Sequence, residues 1–334
     1  MPQNTVLVTG ASGFVALHCI QQLLQQGYRV RGTLRSLDKE AALRKALGDV
    51  RDGLEFVQTD LQNDPGWDRA AQGCAYVLHL ASPFPLTIPQ DENELIVPAR
   101  EGTLRVLRVA KQAGVERVVL TSSIAAIMNG HSETRRVFDE RDWSNLEGRV
   151  QPYPKSKTLA EQAAWAFARE HGLELSVIAP GLILGPSLDG HYPTSREYIR
   201  KLMKREVPGV SRTTLFTVDV RDVALAHLAA MTVPEAANQR FVCVEGGHRF
   251  REIALILQRH FAARGYRIST LEFPDWVVRL VAIADQTVRL TLDELGKEYR
   301  FNSEPARRVL GWKPRPLEPS VLEMAEGMRQ QGIV

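Results

Sequence analysis

Short apolar runs alternate with amphipathic stretches along the first half of the chain. The apolar runs are rich in β-branched residues, which favours strands, and the stretches between them carry apolar residues at three- and four-residue spacing, which favours helices. Strands are predicted at residues 5–8, 28–34, 54–58, 76–80, 117–121 and 175–179, and helices at 14–26, 38–47, 65–71, 94–113 and 155–171. This alternation predicts an α/β fold of the Rossmann type, a doubly wound parallel sheet with helices on both faces.

The alternation stops after residue 179, where a stretch rich in glycine and proline begins. An apolar run at 215–218 and a helix at 220–231 are predicted to be further elements of the sheet domain. Helices are predicted again after residue 249. We therefore expect a cofactor-binding Rossmann domain of residues 1–179 plus 214–245, and a smaller, mostly helical substrate lobe of residues 180–213 plus 246–334.

Composition narrows the class of protein further. The 334 residues are 44% hydrophobic and 24% charged, which is typical of a soluble globular protein. Lys and Arg number 42 against 39 Asp and Glu, and this net charge of +3 is too small to indicate a nucleic-acid partner. No apolar run approaches the ~18 residues of a membrane helix. The three cysteines are too few for a disulfide framework and are expected to be buried free thiols.

Residues 9–16 read Thr-Gly-Ala-Ser-Gly-Phe-Val-Ala, between the first predicted strand and the first predicted helix. Gly10 permits a tight turn, and Gly13 lets the backbone approach a pyrophosphate, which the helix N-terminus attracts. The pattern predicts a dinucleotide site in which Ser12 and Phe14 take part. Because this turn lies so close to the N-terminus, we expect no signal peptide and a cytoplasmic protein.

The end of the second strand predicts which dinucleotide is bound. NAD-binding folds place a carboxylate there to hold the ribose 2′-hydroxyl, whereas this strand ends in Arg35 and the first carboxylate is Asp38. A guanidinium pairs well with a 2′-phosphate. We therefore predict NADP(H), with Lys39 as a second contact.

Tyr153 and Lys157 are four residues apart, which places both on one face of a helix. A phenol can donate a proton to a carbonyl oxygen, and a neighbouring ammonium is expected to lower its pKa. Ser123 follows the strand predicted at 117–121, at the sheet edge where ligands bind, and can hydrogen-bond a developing oxyanion. The three residues predict NADPH-dependent reduction of an aldehyde or ketone, with Tyr153 as proton donor.

Together these motifs resemble the extended short-chain dehydrogenase/reductase superfamily, within it the dihydroflavonol reductase and cinnamoyl-CoA reductase-like group that includes microbial aldehyde reductases. The resemblance covers most of the chain and rests on Thr9–Phe14, Leu34-Arg35, Asp60-Leu61, residues 79–83, Thr121–Ala125 and Tyr153–Glu161. It implies that Ser123, Tyr153 and Lys157 are catalytic and that Tyr153 and Lys157 also contact the cofactor. Further cofactor contacts implied by the resemblance are Asp60, Leu61, Leu80, Ala81, Ser82, Pro180, Gly181, Leu182 and Ile183.

The substrate side departs from the best-known members of that group. Met128 stands where plant dihydroflavonol reductases tend to carry Asn, and residues 150–154 read Val-Gln-Pro-Tyr-Pro rather than the Asn-Trp-Tyr-Cys-Tyr of cinnamoyl-CoA reductases. Phe84, Ile127, Met128 and Tyr192 are predicted to line an apolar pocket for an apolar or aromatic carbonyl compound, with core packing as the alternative role for each.

Two other functions stay open at this point: an NAD(P)-dependent epimerase, dehydratase or decarboxylase of the same superfamily, and a non-catalytic NADP-binding sensor. No histidine has metal-ligand spacing, so no metal is expected. The expected partner is a small carbonyl or alcohol substrate, with no nucleic acid and no membrane, and the expected state is a monomer or homodimer.

Overall fold

The computed structural model describes residues 4–48, 50, 52–83, 89, 91–284, 292 and 295–334. Its centre is a parallel sheet of seven strands in the order β10-β7-β5-β4-β1-β2-β3. The strands are β1 (Thr5–Thr9), β2 (Arg29–Leu34), β3 (Leu54–Gln58), β4 (Cys74–His79), β5 (Arg117–Thr121), β7 (Glu174–Pro180) and β10 (Arg240–Cys243). The predicted parallel sheet is confirmed. Its inner strands β1, β4, β5 and β7 are mostly buried because both faces of the sheet are covered.

Helices cover both faces of this sheet, as predicted. The first face carries α1 (Phe14–Gln25), α2 (Glu40–Ala46) and α7 (Val220–Thr232), whose apolar residues pack in one core cluster with those of β1 and β2. The second face carries α3 (Trp67–Ala71), α4 (Asn93–Gln112) and α5 (Pro152–His171), which pack in a second cluster. The fold is therefore the expected doubly wound Rossmann type.

A second sheet of three strands lies outside the large one. It consists of β8 (Leu182–Leu184), β9 (Thr214–Asp219) and β11 (Gly246–Arg249), with β9 parallel to β8 and antiparallel to β11. The apolar run at 215–218 thus forms a strand, as its pattern indicates, and this strand belongs to the small sheet and not to the large one. Apolar residues mark a buried strand without indicating its partner, and the Gly-Gly-His-Arg sequence of β11 carries no apolar pattern.

Two short strands, β6 (Arg135–Phe138) and β12 (Glu298–Phe301), pair in parallel although about half the chain separates them. Neither strand was predicted. Each strand has four residues, of which only Phe138 in β6 and Tyr299 in β12 are buried. One buried residue does not form the alternating pattern that predicts a strand.

The remaining helices form most of the C-terminal part of the chain. Helix α6 (Arg196–Met203), α8 (Phe250–Phe261) and the last helix, α11 (Leu317–Gln330), share a third apolar cluster. Helices α9 (Asp275–Ala284) and α10 (Glu304–Leu310) complete the set. Within the described ranges, no helix combines the length and the apolar character needed to cross a bilayer. The cysteines Cys19, Cys74 and Cys243 are free and buried, as predicted.

Candidate active site

The residues predicted to bind the cofactor lie along one edge of the large sheet. All seven strands run in the same direction, so their carboxyl ends meet at this edge. Gly10 follows β1, Arg35 follows β2, Leu80 follows β4 and Gly181 follows β7. Asp60 lies two residues beyond the end of β3. One edge therefore collects residues from distant parts of the sequence.

The glycine turn is closely packed against the end of β4. Gly10 has φ +65°, and a Cβ atom there would lie 3.0 Å from the Cβ atom of Ala81. A Cβ atom at Gly13 would lie 3.1 Å from the carbonyl oxygen of Gly10, to which the Gly13 amide already donates a hydrogen bond. Gly10 is thus favoured by its positive φ and by the close approach of Ala81, and Gly13 by the close approach of the Gly10 carbonyl.

Thr9 joins the two central strands at this edge. Its Oγ1 accepts hydrogen bonds from the amides of Leu80 and Ala81, at 3.1 and 3.0 Å. The hydroxyl proton is then left to be donated to Nδ1 of His79, 2.8 Å away. Burial lowers the pKa of His79 to about 3, so the ring is neutral with its proton on Nε2. These hydrogen bonds of Thr9 were not predicted, because they depend on which strand lies beside β1.

The N-terminus of α1 fits a dinucleotide phosphate. Gly13 is the N-cap residue and provides no side chain, so no described side chain caps the helix. The amides of the first turn, beginning at Phe14, therefore face outward with a partial positive charge. Ser12 and Phe14 are half-buried beside this turn.

Arg35 and Lys39 lie exposed beyond the end of β2. Neither side chain forms an ion pair or a hydrogen bond within the described part of the chain, so both cations are available to a ligand. Between them, Ser36 caps a short 3-10 turn at Leu37–Lys39. Leu61 is half-buried and packs against Gly102 of α4, which brings the Asp60-Leu61 pair to the same edge.

Ser123 and Tyr153 meet at the end of β5. Ser123 is the N-cap residue of a 3-10 turn at Ile124–Ala126, and its Oγ accepts a hydrogen bond from the amide of Ala125. A hydrogen bond also joins the side chains of Ser123 and Tyr153. The preceding residue, Ser122, instead donates its hydroxyl proton to Glu161. The two neighbouring serines therefore face different partners, and Ser123 is the one beside the phenol.

Tyr153 lies in the first turn of α5, which begins three residues before its predicted start. Prolines at positions 152 and 154 suit a first helical turn, whose amides need no intrahelical acceptor. Lys157 is one turn further along the same face and is almost fully buried. Its ammonium donates no hydrogen bond to any residue that the structure describes, which leaves it free for a ligand.

Burial controls the pKa values of this group. Burial raises the pKa of Tyr153 to about 12, and the hydrogen bond with Ser123 acts in the opposite direction. Burial also lowers the pKa of Lys157 to about 8, opposed by the negative charge of Glu161. The pKa of Tyr153 is therefore raised overall and not lowered as expected, since desolvation of the phenol is the largest effect on it.

The residues predicted to line the substrate pocket are not gathered in one place. Ile127 and Met128 are buried in a cluster with Phe138 and Phe216, so their packing fits the core alternative. Tyr192 is half-buried against the last helix, where a side chain at Gly327 would overlap its hydroxyl. Phe84 lies outside the described residues.

The loop from β7 to β8 approaches the sheet edge closely. A Cβ atom at Gly181 would overlap the carbonyl oxygen of Phe216 in β9, and the Gly181 amide donates a hydrogen bond to the carbonyl oxygen of Cys243. Pro180 is buried, while Leu182 and Ile183 are half-buried. Among the described residues, no group of His, Cys, Asp and Glu side chains could hold a metal ion.

Comparison with known proteins places the chain in a family. Residues 6–243 match the model of the NAD dependent epimerase/dehydratase family. The chain belongs to this family. The resemblance to the extended short-chain dehydrogenase/reductase superfamily is thereby confirmed.

Similar proteins are reductases. An oxidoreductase of Saccharomyces cerevisiae is 39% identical over 285 residues, which cover 77% of this chain and 82% of that protein. Cinnamoyl-CoA reductase 1 of Petunia hybrida is 32% identical over 335 residues, covering 98% of this chain and 93% of that one. The yeast methylglyoxal/isovaleraldehyde reductase Gre2, solved with NADPH, has a TM-score of 0.81 at 28% identity over 99% of this chain and 100% of that chain.

Proposed function

We propose that this protein is an NADPH-dependent reductase that converts an aldehyde or ketone to the alcohol. The hydrogen bond between Ser123 and Tyr153 carries the proposal, because it places a serine and a phenol together at the sheet edge that holds the glycine turn. The similarity to Gre2, solved with NADPH, and to cinnamoyl-CoA reductase supports both the cofactor and the reaction class. When bound, NADPH supplies the hydride.

Tyr153 is suited to the role of proton donor. With a pKa of about 12, its hydroxyl is protonated at neutral pH and can donate a hydrogen bond to a carbonyl oxygen. Ser123 holds the same oxygen from the other side, as negative charge develops on it. Lys157 remains mostly charged at pH 7, since its pKa is about 8, and its positive charge stabilises the phenolate that proton transfer leaves behind.

We further propose that residues 180–213 and 246–334 supply the substrate side and that residues 1–179 and 214–245 hold the cofactor. The glycine turn, Asp60-Leu61, Leu80–Ser82 and the segment 180–183 all lie at or near the carboxyl edge of the sheet. The similarity to cinnamoyl-CoA reductase and to the methylglyoxal/isovaleraldehyde reductase Gre2 supports a carbonyl compound over a sugar nucleotide as substrate.

Replacing the phenol tests the reaction. We expect Tyr153→Phe to lower the rate of NADPH oxidation by about 10²- to 10⁴-fold, because a general acid contributes that much, while the Kd for NADPH stays unchanged. The matched control is Tyr76→Phe, on β4 at its end away from the site. The substrates to screen are aldehydes, ketones and CoA thioesters. Full turnover in Tyr153→Phe would overturn the mechanism, and tightly co-purifying NAD without net NADPH oxidation would favour the epimerase alternative.

Replacing Arg35 tests the choice of cofactor. We expect Arg35→Asp to weaken NADPH binding by about 1.5–3 kcal/mol and to improve NADH binding relative to it, because a charged hydrogen bond to the 2′-phosphate is lost and a carboxylate is supplied for the 2′-hydroxyl. Fluorescence titration with both nucleotides measures the change. Arg29→Asp, exposed at the opposite end of β2, is the control. An unaltered ratio of the two Kd values would remove Arg35 from the assignment.

A further inference from the structure

A buried carboxylate lies directly behind the proposed site. Tyr153, Lys157 and Glu161 follow each other at four-residue spacing along one face of α5. Glu161 is 1% exposed, and its carboxylate accepts hydrogen bonds from the hydroxyl of Ser122 and, at 3.1 Å, from Nε1 of Trp165. It thus connects the turn of α5 below Lys157 with the residue that precedes Ser123.

Arg240, the first residue of β10, neutralises this carboxylate. Its Nε atom lies 2.7 Å from Oε1 of Glu161, and its Nη2 donates a hydrogen bond of 2.9 Å to Oε2. Nη1 donates to the carbonyl oxygen of Asp142, and the guanidinium lies over the ring of Trp143 at 4.1 Å. The arginine is therefore held on several sides and cannot follow Glu161 if that side chain moves.

An ion pair this deeply buried is not explained by stability alone. The side chains of Arg240 and Glu161 are 5% and 1% exposed. Removing two charges from water offsets most of their attraction, so an apolar pair of similar volume usually serves folding as well. The position of the pair is what distinguishes it. It lies one helical turn from Lys157, the ammonium of the proposed site.

The groups that face Lys157 are few. His79, at the end of β4, is neutral and close enough for the ammonium to lower its pKa further. Tyr153 is on the same helix, one turn towards the N-terminus, and is protonated at neutral pH. Glu161 is the remaining charged neighbour on α5, and it partly opposes the effect of burial on the pKa of Lys157. Arg240 pairs with Glu161, and its positive charge weakens the effect of the Glu161 carboxylate on Lys157.

We propose that Glu161 is a positioning residue that keeps Lys157 charged from one helical turn below it, and that Arg240 sets the strength of this effect. The proposal rests on the proposed function, in which the ammonium of Lys157 meets the bound nucleotide. Ser122 and Trp165 fix the carboxylate in place, so that the charge of Glu161 stays one helical turn from Lys157.

The test measures NADPH binding, not turnover, as a function of pH from about 6.5 to 9.5, the range around the pKa of a desolvated lysine. Affinity should fall as Lys157 loses its proton, and the midpoint of this fall reports its charge state. The variants are Glu161→Gln, Arg240→Met and the double variant. Removing the carboxylate alone should shift the midpoint down by about one pH unit and weaken binding about tenfold above it.

Removing Arg240 alone should shift the midpoint upwards, because Glu161 then acts on Lys157 without opposition. The double variant lacks both charges and should fall between the two single variants. It also covers the case in which a single variant unfolds, because it leaves no unpaired buried charge. If Glu161 and Arg240 contribute to packing alone, the two single variants and the double variant should have the same midpoint. That result would overturn the proposal. A wild-type affinity for NADPH that does not change with pH would overturn it too.

Glu174→Gln is the matched control. It removes a carboxylate from another arginine, Arg117, at the opposite edge of the sheet, where the two side chains meet at 2.9 Å. It should leave the midpoint unchanged. The proposed function fails separately: a wild type that does not bind NADPH contradicts that function, and one that binds NADPH but reduces no carbonyl leaves the order of midpoints readable.

Discussion

Glycine is required at position 181 because two strands and a loop approach each other there. A Cβ atom would overlap the carbonyl oxygen of Phe216, and that backbone cannot move without disturbing β9. Such a position differs from a glycine that only needs positive φ, such as Gly114, whose Cβ would meet no atom within 4 Å. The two reasons for a glycine, close approach of another backbone and positive φ, should differ in their effect on the free energy of unfolding.

Gly181→Ala should lower the free energy of unfolding by about 3 kcal/mol, since overpacking forces the backbone apart. Gly114→Ala should lower it by only about 1 kcal/mol, the cost of a left-handed alanine. Urea denaturation followed by circular dichroism gives both values. Equal losses in the two variants would show that β9 yields to the added methyl group.

At the scale of elements, the strands predicted from the sequence are, apart from β9, those of the large parallel sheet. β3 and β5 begin and end as predicted, because their apolar runs are bounded by polar residues and do not depend on a partner. Strands β8 and β11 of the small sheet and the pair of β6 and β12 were missed, because they are short and pair with residues far apart in sequence. The pattern of apolar residues along one sequence is a local signal and does not indicate which distant segments pair.

The candidate site divides in the same way. The glycine turn and the pair of Tyr153 and Lys157 are local patterns, and the sequence alone indicates them. Glu161 continues that four-residue spacing and could have been noticed, but nothing local points to Arg240 as its partner. The effect of burial on Tyr153 was also missed, because desolvation depends on the packing around a residue and not on its neighbours in sequence.

The pair of β6 and β12 depends on one buried ring. Phe138 is fully buried, and its ring meets that of Tyr299 edge to face with centroids 5.0 Å apart. Phe138→Ala should lower the free energy of unfolding by about 3 kcal/mol and speed amide exchange in Glu298–Phe301 more than in the large sheet. Val137→Ala, on the same strand but exposed, is the control. Unaltered exchange at β12 would contradict this dependence.

At the scale of the whole molecule, two buried histidines make the fold sensitive to acid. Burial lowers the pKa of His227 to about 4 and that of His79 to about 3. The Nδ1 atom of His227 lies 2.8 Å from the carbonyl oxygen of Val223, and its Nε2 lies 2.7 Å from the hydroxyl of Thr121. The unfolded chain therefore binds protons below about pH 6.5 that the folded chain does not bind.

The free energy of unfolding is thus greatest above the pKa of histidine in the unfolded chain, and it falls as the pH drops from about 6.5 towards 4. Each histidine should remove about 2 kcal/mol between pH 7 and pH 5. His227→Gln should reduce this pH-dependent loss by that amount, since the amide can replace the hydrogen bonds and does not titrate. Urea denaturation at both pH values measures it, with the exposed His191→Gln as control. Parallel losses in wild type and His227→Gln would refute the assignment.

The parallel pairing of β6 with β12 also has a consequence for the protein during its synthesis. At about 5–20 residues per second, a ribosome needs roughly 8–30 s to proceed from residue 138 to residue 301. For that time the nascent chain carries Phe138 without the aromatic rings of β12 that later cover it. Helix α5, with Tyr153, is the next helix after this strand, so the segment leading into the site reaches its final packing only after residue 301 has been synthesised.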